Sequence, residues 1–290
     1  MIPASFDYVR PGTLEEALAI LRDREGEAKV LAGGYSLLPL MKLRLAQPAL
    51  LVDIQALVGL DGVAHADGWW RIGGRTTHRA ILLHDALGAD HGAVRDAAGG
   101  IGDPQVRNWG TIGGSCAHAD PSSDWPAVLQ ALGASFVCHS ASGERVVPAR
   151  GFFIDAFQTA IEPAEVLTEV RVPIAPPHSG SAYEKLERRA GDFATVGAAA
   201  SLQLGEDGRI AAAGLALTAV GDAPFAAADA ESALVGASPG EAAFAAAGRA
   251  AAAQSRPAAD GHGPVDYKRA MVREIAVRAL RRAFERAASA

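Results

Sequence analysis

Two glycine segments carry the clearest chemical signal in the sequence. Ala32-Gly33-Gly34-Tyr35-Ser36 follows directly on a short apolar run, and Thr111-Ile112-Gly113-Gly114-Ser115 has the same plan farther along. In each, paired glycines let the backbone turn sharply and expose its N–H groups. Successive amides of this kind form a nest that binds phosphate oxygens without a basic side chain. The serine that closes each segment adds a hydroxyl donor. Converging on one diphosphate, the two segments would hold a dinucleotide without a Rossmann fold. Standing apart, they are two tight turns, and the segments alone leave both readings open.

Other chemistries find no support. The sequence contains no G-x-x-x-x-G-K-[ST] phosphate loop and no G-x-S-x-G elbow. Gly100-Ile101-Gly102-Asp103-Pro104-Gln105 begins like G-x-G-x-x-G but lacks the third glycine. Pro104 is also expected to disturb the helix start that this fingerprint needs. The histidines show no zinc-type spacing. Cys116-Ala117-His118 offers fewer ligands than a metal requires, and reads as a buried thiol beside a loop histidine. Cys116 and Cys138 are the only cysteines, too few for an iron–sulfur cluster, so any cluster this chain works with belongs to another subunit. No catalytic residue and no metal ligand is assigned to the chain.

The elements that must position the glycines follow from periodicity. Thr13-Leu14-Glu15-Glu16 reads as a capping box opening a helix that closes near Gly26. A strand over 28–31 runs into the first glycine segment, followed by a short helix to Arg44 and a strand over 49–54. Trp69 to Gly74 is a strand entering a turn, Thr76 or Thr77 caps a helix through His84, and another helix covers Gly92 to Ala98. A glycine-rich loop is expected from Gly99 to Ser115, then a helix over 124–132 and strands over 135–139 and 166–172. The stretch 173–180, with its three prolines, is the best linker candidate. Beyond it lie strands over 182–186, 196–204 and 210–220, the last two joined by a hairpin turn at 205–208. Helices follow over 226–234, 239–253 and 264–287, with Pro239 and Pro264 in first-turn positions. Strands followed by helices indicate a separate α+β unit.

Composition narrows the function. The 290 residues include 27 Lys plus Arg against 33 Asp plus Glu, a net charge of −6, which argues against a nucleic-acid binder. Arg278, Arg281, Arg282 and Arg286, interleaved with Glu285, are expected to form a solvated helix face. With 49% hydrophobic and 21% charged residues the chain is globular rather than disordered. The beginning of the sequence has neither a basic n-region nor an apolar h-region, so a cytoplasmic protein with two free thiols is expected.

The residues around the glycines extend the reading. Lys29 through Arg44, spanning Ala32-Gly33-Gly34-Tyr35-Ser36-Leu37, resembles the first FAD loop of the molybdenum hydroxylase flavoproteins, the xanthine dehydrogenase family. Asp103-Pro104-Gln105-Val106-Arg107-Asn108-Trp109-Gly110 leading into Thr111 to Ser115 resembles their second. Tyr183-Glu184-Lys185-Leu186 with Arg188, Arg189, Gly191, Asp192 and Phe193 is similar to the signature of their C-terminal domain. Met1-Ile2-Pro3, Phe6-Asp7-Tyr8 and Asp260-Gly261-His262-Gly263-Pro264 look like the branch that serves aerobic carbon monoxide dehydrogenases as medium subunits. The resemblance spans essentially the whole chain, in order and at the expected spacing.

The resemblance implies an α+β protein: a two-subdomain FAD-binding fold of the vanillyl-alcohol-oxidase (PCMH) type over residues 1–57 and 58–176. A C-terminal flavoprotein domain of three-stranded antiparallel sheet and helix bundle follows over 177–290. It implies FAD bound by Ala32 to Ser36 with Leu37, and by Thr111, Ile112, Gly113, Gly114 and Ser115. Further contacts carried over are Ile101 against the isoalloxazine, Asp124 as a hydrogen-bonding acid (an N-cap aspartate on the residues alone), and Leu167 as an apolar contact. Lys185 is carried over as a cation near the flavin, and Phe193 stands where close relatives place a tyrosine. Tyr35 replaces the histidine common in the first loop; backbone contacts should preserve binding. The implied role is electron transfer: from [2Fe–2S] clusters on a small partner subunit, through FAD here, to an external acceptor such as a quinone. A large subunit with a molybdenum cofactor would oxidise carbon monoxide or, as in relatives, nicotine, purines or aldehydes. The implied assembly is a dimer of heterotrimers, with peripheral membrane association compatible. A stand-alone FAD oxidase and a non-redox maturation protein are the rival classes. The first would need a base near the flavin, for which no residue stands out, and the intact glycines of both segments argue against the second.

Overall fold

The computed structural model describes residues 2–289; Met1, part of the resemblance above, lies outside them. The first unit is a small parallel sheet. In chain order come β1 (Asp7–Val9), α1 (Leu14–Asp23), β2 (Ala28–Leu31), α2 (Leu37–Lys42) and β3 (Leu50–Asp53), with the strands ordered β1-β3-β2. Thr13 caps α1 through its hydroxyl, as the capping box requires, and Ala17, Leu18 and Leu21 bury one face against Leu50 and Val52. β2 is therefore an edge strand, and the chain leaving it is free to serve something other than the sheet.

The second unit comprises β4 (Val63–Ala66), β5 (Trp69–Gly73), α3 (His78–Leu82), α4 (Asp85–Asp90), α5 (Gly92–Gly100), α6 (Pro104–Trp109), α7 (Ile112–His118) and α8 (Asp124–Ala131). It continues with β6 (Ser135–Ser140), β7 (Gly143–Pro148), the hairpin strands β8 (Phe153–Asp155) and β9 (Gln158–Thr159), and β10 (Val166–Pro173). The sheet order β4-β5-β10-β6-β7 is antiparallel throughout. α8 is buried on all sides, including Trp125, Val128 and Leu129, because it lies between this sheet's core and the strands of the third unit.

The third unit holds β11 (Ser179–Leu186), β12 (Val196–Leu204), β13 (Ile210–Thr218), the two-residue edge strand β14 (Phe225–Ala226), α9 (Ala228–Leu234), α10 (Glu241–Gln254) and α11 (Val265–Ser289). The antiparallel order is β11-β12-β13-β14, three long strands and a stub. Alanines at 276, 279, 283 and 287 line the buried face of α11. They let the helix sit so low on β11 that a Cβ at Gly180 would run into the Ala283 carbonyl.

Four expectations differ from the structure. The stretch 99–115 is not a loop: Asp103 caps α6 by accepting from the Val106 amide at 2.8 Å, and Pro104 takes the first helical position, where its missing N–H costs nothing. His118 likewise ends a helix rather than lying in a loop. The linker shrinks, since Pro173 closes β10 and Ser179 already opens β11. Pro239 precedes the first turn of α10, with Gly240 at the cap.

The arginine face of α11 is only partly a solvated surface. Arg278 pairs with Glu274 and Arg281 with Glu241 on the exposed side. Arg282 reaches Asp96 at 3.0 Å and also holds Glu184, while Arg286 binds Asp96 and the Ser181 carbonyl. Asp96 also accepts from the Tyr183 amide at 3.1 Å, so one carboxylate joins α5, β11 and α11.

Candidate functional site

The first glycine segment leaves the edge of β2 with Gly34 in the left-handed region at φ +80°, which glycine enters without strain. The amides of Gly33, Gly34, Tyr35, Ser36 and Leu37 meet no acceptor among the described residues, and Ser36 makes no side-chain cap to α2. This is a run of open donors on a sharply turning backbone, the physical content of an anion nest. Gly33 presses on the second segment: a Cβ there would run into the Trp109 carbonyl and lie 3.0 Å from the Gly110 Cα.

The second segment works differently from the first. It is the first turn of α7, capped by the Thr111 hydroxyl, which accepts from the Gly114 amide at 3.1 Å. The Ile112 and Gly113 amides are bound to the carbonyls of Thr76 and Gly74, and the Ser115 amide to that of Thr111. Its glycines serve close approach: a Cβ on Gly113 would lie 2.8 Å from the Gly74 Cα, and one on Gly114 would lie 4.0 Å from the Ala32 Cβ. The two segments thus meet face to face, one offering amides and the other a surface clear of side chains.

Between them lies a cavity of about 760 Å³, within the ~300–1,000 Å³ typical of small-molecule and cofactor sites. Ala32, Gly33, Gly34, Tyr35, Ser36, Leu37, Ile101, Thr111, Gly113, Gly114, Ser115, Asp124, Leu167 and Phe193 all line it. Ile112 does not; it is fully buried in the core beneath. Lys185 is also absent from the lining. Tyr35 and Phe193 are exposed rings, in keeping with positions at the rim. The wall around Ile101 is held by Arg107, whose guanidinium donates to the carbonyls of Ile101 at 2.9 Å and Gly102 at 2.8 Å. The segment bearing Phe193 lies so close that a Cβ on Gly191 would strike the Gly102 carbonyl.

Asp124 is not the cap of α8; Ser123 holds that position. Its carboxylate accepts from the Tyr183 hydroxyl at 2.5 Å and from Lys185 Nζ at 3.5 Å. Burial pushes the Asp124 carboxyl up to about 6, opposed by Lys185 and Tyr183. Burial, with Asp124 alongside, raises the Tyr183 phenol well above its ordinary range. Lys185, with 7% of its side chain exposed, donates to the carbonyls of Gly100 at 2.8 Å and Asp192 at 2.9 Å. Its ammonium also stands 3.0 Å from Glu187 Oε2, in ion-pair range but without hydrogen-bond geometry. Lys185 therefore works behind the cavity wall, tying the turn that carries Ile101 to the segment that carries Phe193.

Several lining residues escaped the sequence reading. Gly74, Val106, Gly191 and Asp192 contribute to the wall, as do Lys29 and His78. The Gly73-Gly74 pair was a legible signal, a third site of close backbone approach. His78 gave none, because its place depends on a distant tryptophan: Trp125 donates its indole N–H to His78 Nδ1 at 3.1 Å. Burial, with the Arg107 charge adding to it, pushes the imidazole down to about 4.

Two family models cover nearly the whole chain: the FAD binding domain in molybdopterin dehydrogenase matches residues 4–175, and the CO dehydrogenase flavoprotein C-terminal domain matches residues 181–283. The chain is 42% identical to the carbon monoxide dehydrogenase medium chain of Afipia carboxidovorans, over 99% of both chains. It is 37% identical to the 6-hydroxypseudooxynicotine dehydrogenase complex subunit alpha of Paenarthrobacter nicotinovorans, over 99% of this chain and 97% of that one. The solved carbon monoxide dehydrogenase from Hydrogenophaga pseudoflava superposes with a TM-score of 0.96 at 42% identity, over 99% of each chain.

Proposed function

This chain belongs to the FAD-binding medium subunits of the molybdenum hydroxylase family, oxidoreductase components of the carbon monoxide dehydrogenase type, and from that premise we propose that it is an electron-transfer subunit. The observation that carries the proposal is the cavity between the two glycine segments, with five consecutive open amides on one side and a glycine surface on the other. FAD bound there would supply the redox chemistry, accepting electrons from [2Fe–2S] clusters on a small partner subunit and yielding them to an external acceptor, for which we favour a quinone.

The residues fit that group. The amides of Gly33 to Leu37 would hold the diphosphate; Gly113 lets the second segment pack on Gly74, and the missing Cβ at Gly114 keeps the face toward Ala32 clear. Ile101, Leu167 and Phe193 would give the isoalloxazine apolar contact, and the Asp124 carboxyl would hydrogen-bond the cofactor. Lys185 would act through the wall, fixing the spacing of Ile101 and Phe193 and placing positive charge behind Asp124. Phe193 brings no hydroxyl to the ring edge.

The partners we propose are a large molybdenum-cofactor subunit and the small iron–sulfur subunit, in a dimer of heterotrimers in the cytoplasm. Among the described residues no helix is long and apolar enough to cross a membrane; we propose peripheral membrane association of the complex. The 42% identity to a carbon monoxide dehydrogenase medium chain favours carbon monoxide as the substrate of the large subunit. An absorption spectrum of the purified chain, followed by capture of its partners from the native host, tests this reading. Flavin bands with molybdenum and iron–sulfur subunits are expected. Absence of flavin from both the isolated chain and the complex would overturn it, and flavin without partners would mark a stand-alone oxidase.

A further inference from the structure

We propose that His78 presents its Nε2–H to the diphosphate held between the two glycine segments, as a hydrogen-bond donor whose tautomer Trp125 fixes. The proposal rests on the FAD reading above.

An indole nitrogen can only donate. Its partner at 3.1 Å is His78 Nδ1, so that nitrogen is bare. Burial keeps the ring uncharged at neutral pH. An uncharged imidazole with a bare Nδ1 carries its proton on Nε2. That N–H finds no acceptor among the described residues, although His78 is only 4% exposed and lines the cavity. Glu187 Oε2 is the only fully buried side-chain polar atom without a partner among the described residues, so Nε2 opens onto the cavity that His78 lines, and that is where its acceptor must lie.

Its position indicates which part of the ligand it meets. A Cβ on Gly110 would lie 2.8 Å from His78 Nε2, so this nitrogen sits beside Gly110. Gly110 precedes Thr111 and is the residue against which Gly33 presses. The donor therefore emerges at the seam of the two segments, next to the open amides of the first. Trp125, in turn, is held in the all-buried helix α8 directly after Asp124. The guanidinium of Arg107, the nearby cation, is committed to backbone carbonyls. His78 adds a donor to the seam without adding a charge.

The test compares His78→Leu, which has no donor, with His78→Gln, which restores one near Nε2. FAD and ADP are titrated into flavin-stripped full-length protein, and folding is checked by far-ultraviolet circular dichroism. The Leu variant is expected to lose roughly tenfold or more in affinity for both ligands, since both carry the diphosphate, and Gln to recover most of it. Unchanged binding by the Leu variant would overturn the proposal. Loss for FAD alone would also overturn it, since the donor would then meet the ring. If the Leu variant does not fold, histidine-labelled wild type decides: the Nε2–H resonance must shift on adding ADP, and a static resonance would overturn the proposal. Wild type that binds no FAD would instead remove the functional reading on which the proposal rests.

Discussion

Arg286 holds Asp96 through both terminal nitrogens, at 2.7 and 3.0 Å, and so ties α11 to α5. A bidentate arginine–carboxylate pair with Arg282 and the Tyr183 amide on the same acid is a network rather than an isolated surface bridge. Replacing Asp96 with Ala leaves Arg286 without an anion and Arg282 with Glu184 alone. The expected cost is about 2 kcal/mol, below the buried-pair range because both arginines are partly exposed. Urea unfolding would measure it, and hydrogen exchange should quicken along α11 first.

Gly114→Glu places bulk and negative charge at the face opposite Ala32. The variant should fold but purify without flavin. Stoichiometric FAD in it would refute the assignment of the second segment.

Lys185→Met removes the donor that ties the Gly100 and Asp192 carbonyls together and leaves Asp124 and Glu187 without their counter-charge. The Asp124 carboxyl should then titrate above its present value of about 6. Carbon-13 NMR of labelled aspartate checks the direction, and FAD content is expected to fall in the same variant.

His78 and Asp124 should bend the pH dependence of stability in opposite directions. Folding lowers His78 from 6.5 to about 4, so the unfolded chain binds the extra proton and stability falls as pH drops from 6.5 toward 4. Folding raises Asp124 from 3.8 to about 6, so the native state keeps the proton and stability falls as pH climbs from 3.8 through 6. Each contribution is about 3 kcal/mol, and in the wild type they largely cancel between pH 4 and 6. His78→Gln should expose the Asp124 slope and Asp124→Asn the His78 slope, in denaturant melts taken across that range. Parallel curves for wild type and both variants would rule this out.

Much of the plan was legible because it is local. Thr13 with Glu16, the alternation at 166–172 and the turn at 205–208 are signals carried by neighbouring residues, and each element formed where they placed it. The glycine pairs were legible as well, yet their division of labour was not. Gly113 and Gly114 are spoken for by Gly74 and Thr111, contacts set by the strand β5 and the cap of α7. Helices α6 and α7 were hidden because six- and seven-residue helices in a glycine-rich stretch have too little periodicity to show, even with Asp103 and Thr111 in capping positions. Arg282 and Arg286 looked like solvent-facing charges because Asp96 is far away in the chain.

The cavity takes its walls from residues 28–37, from the stretch between Gly74 and Asp124, from residues 157–167 and from Gly191 to Phe193. Whatever fills this space must wait until segments distant in sequence have met, so occupancy records the history of the molecule. A chain that retains its ligand is one whose maturation has run to completion, and yellow colour in a preparation counts finished copies.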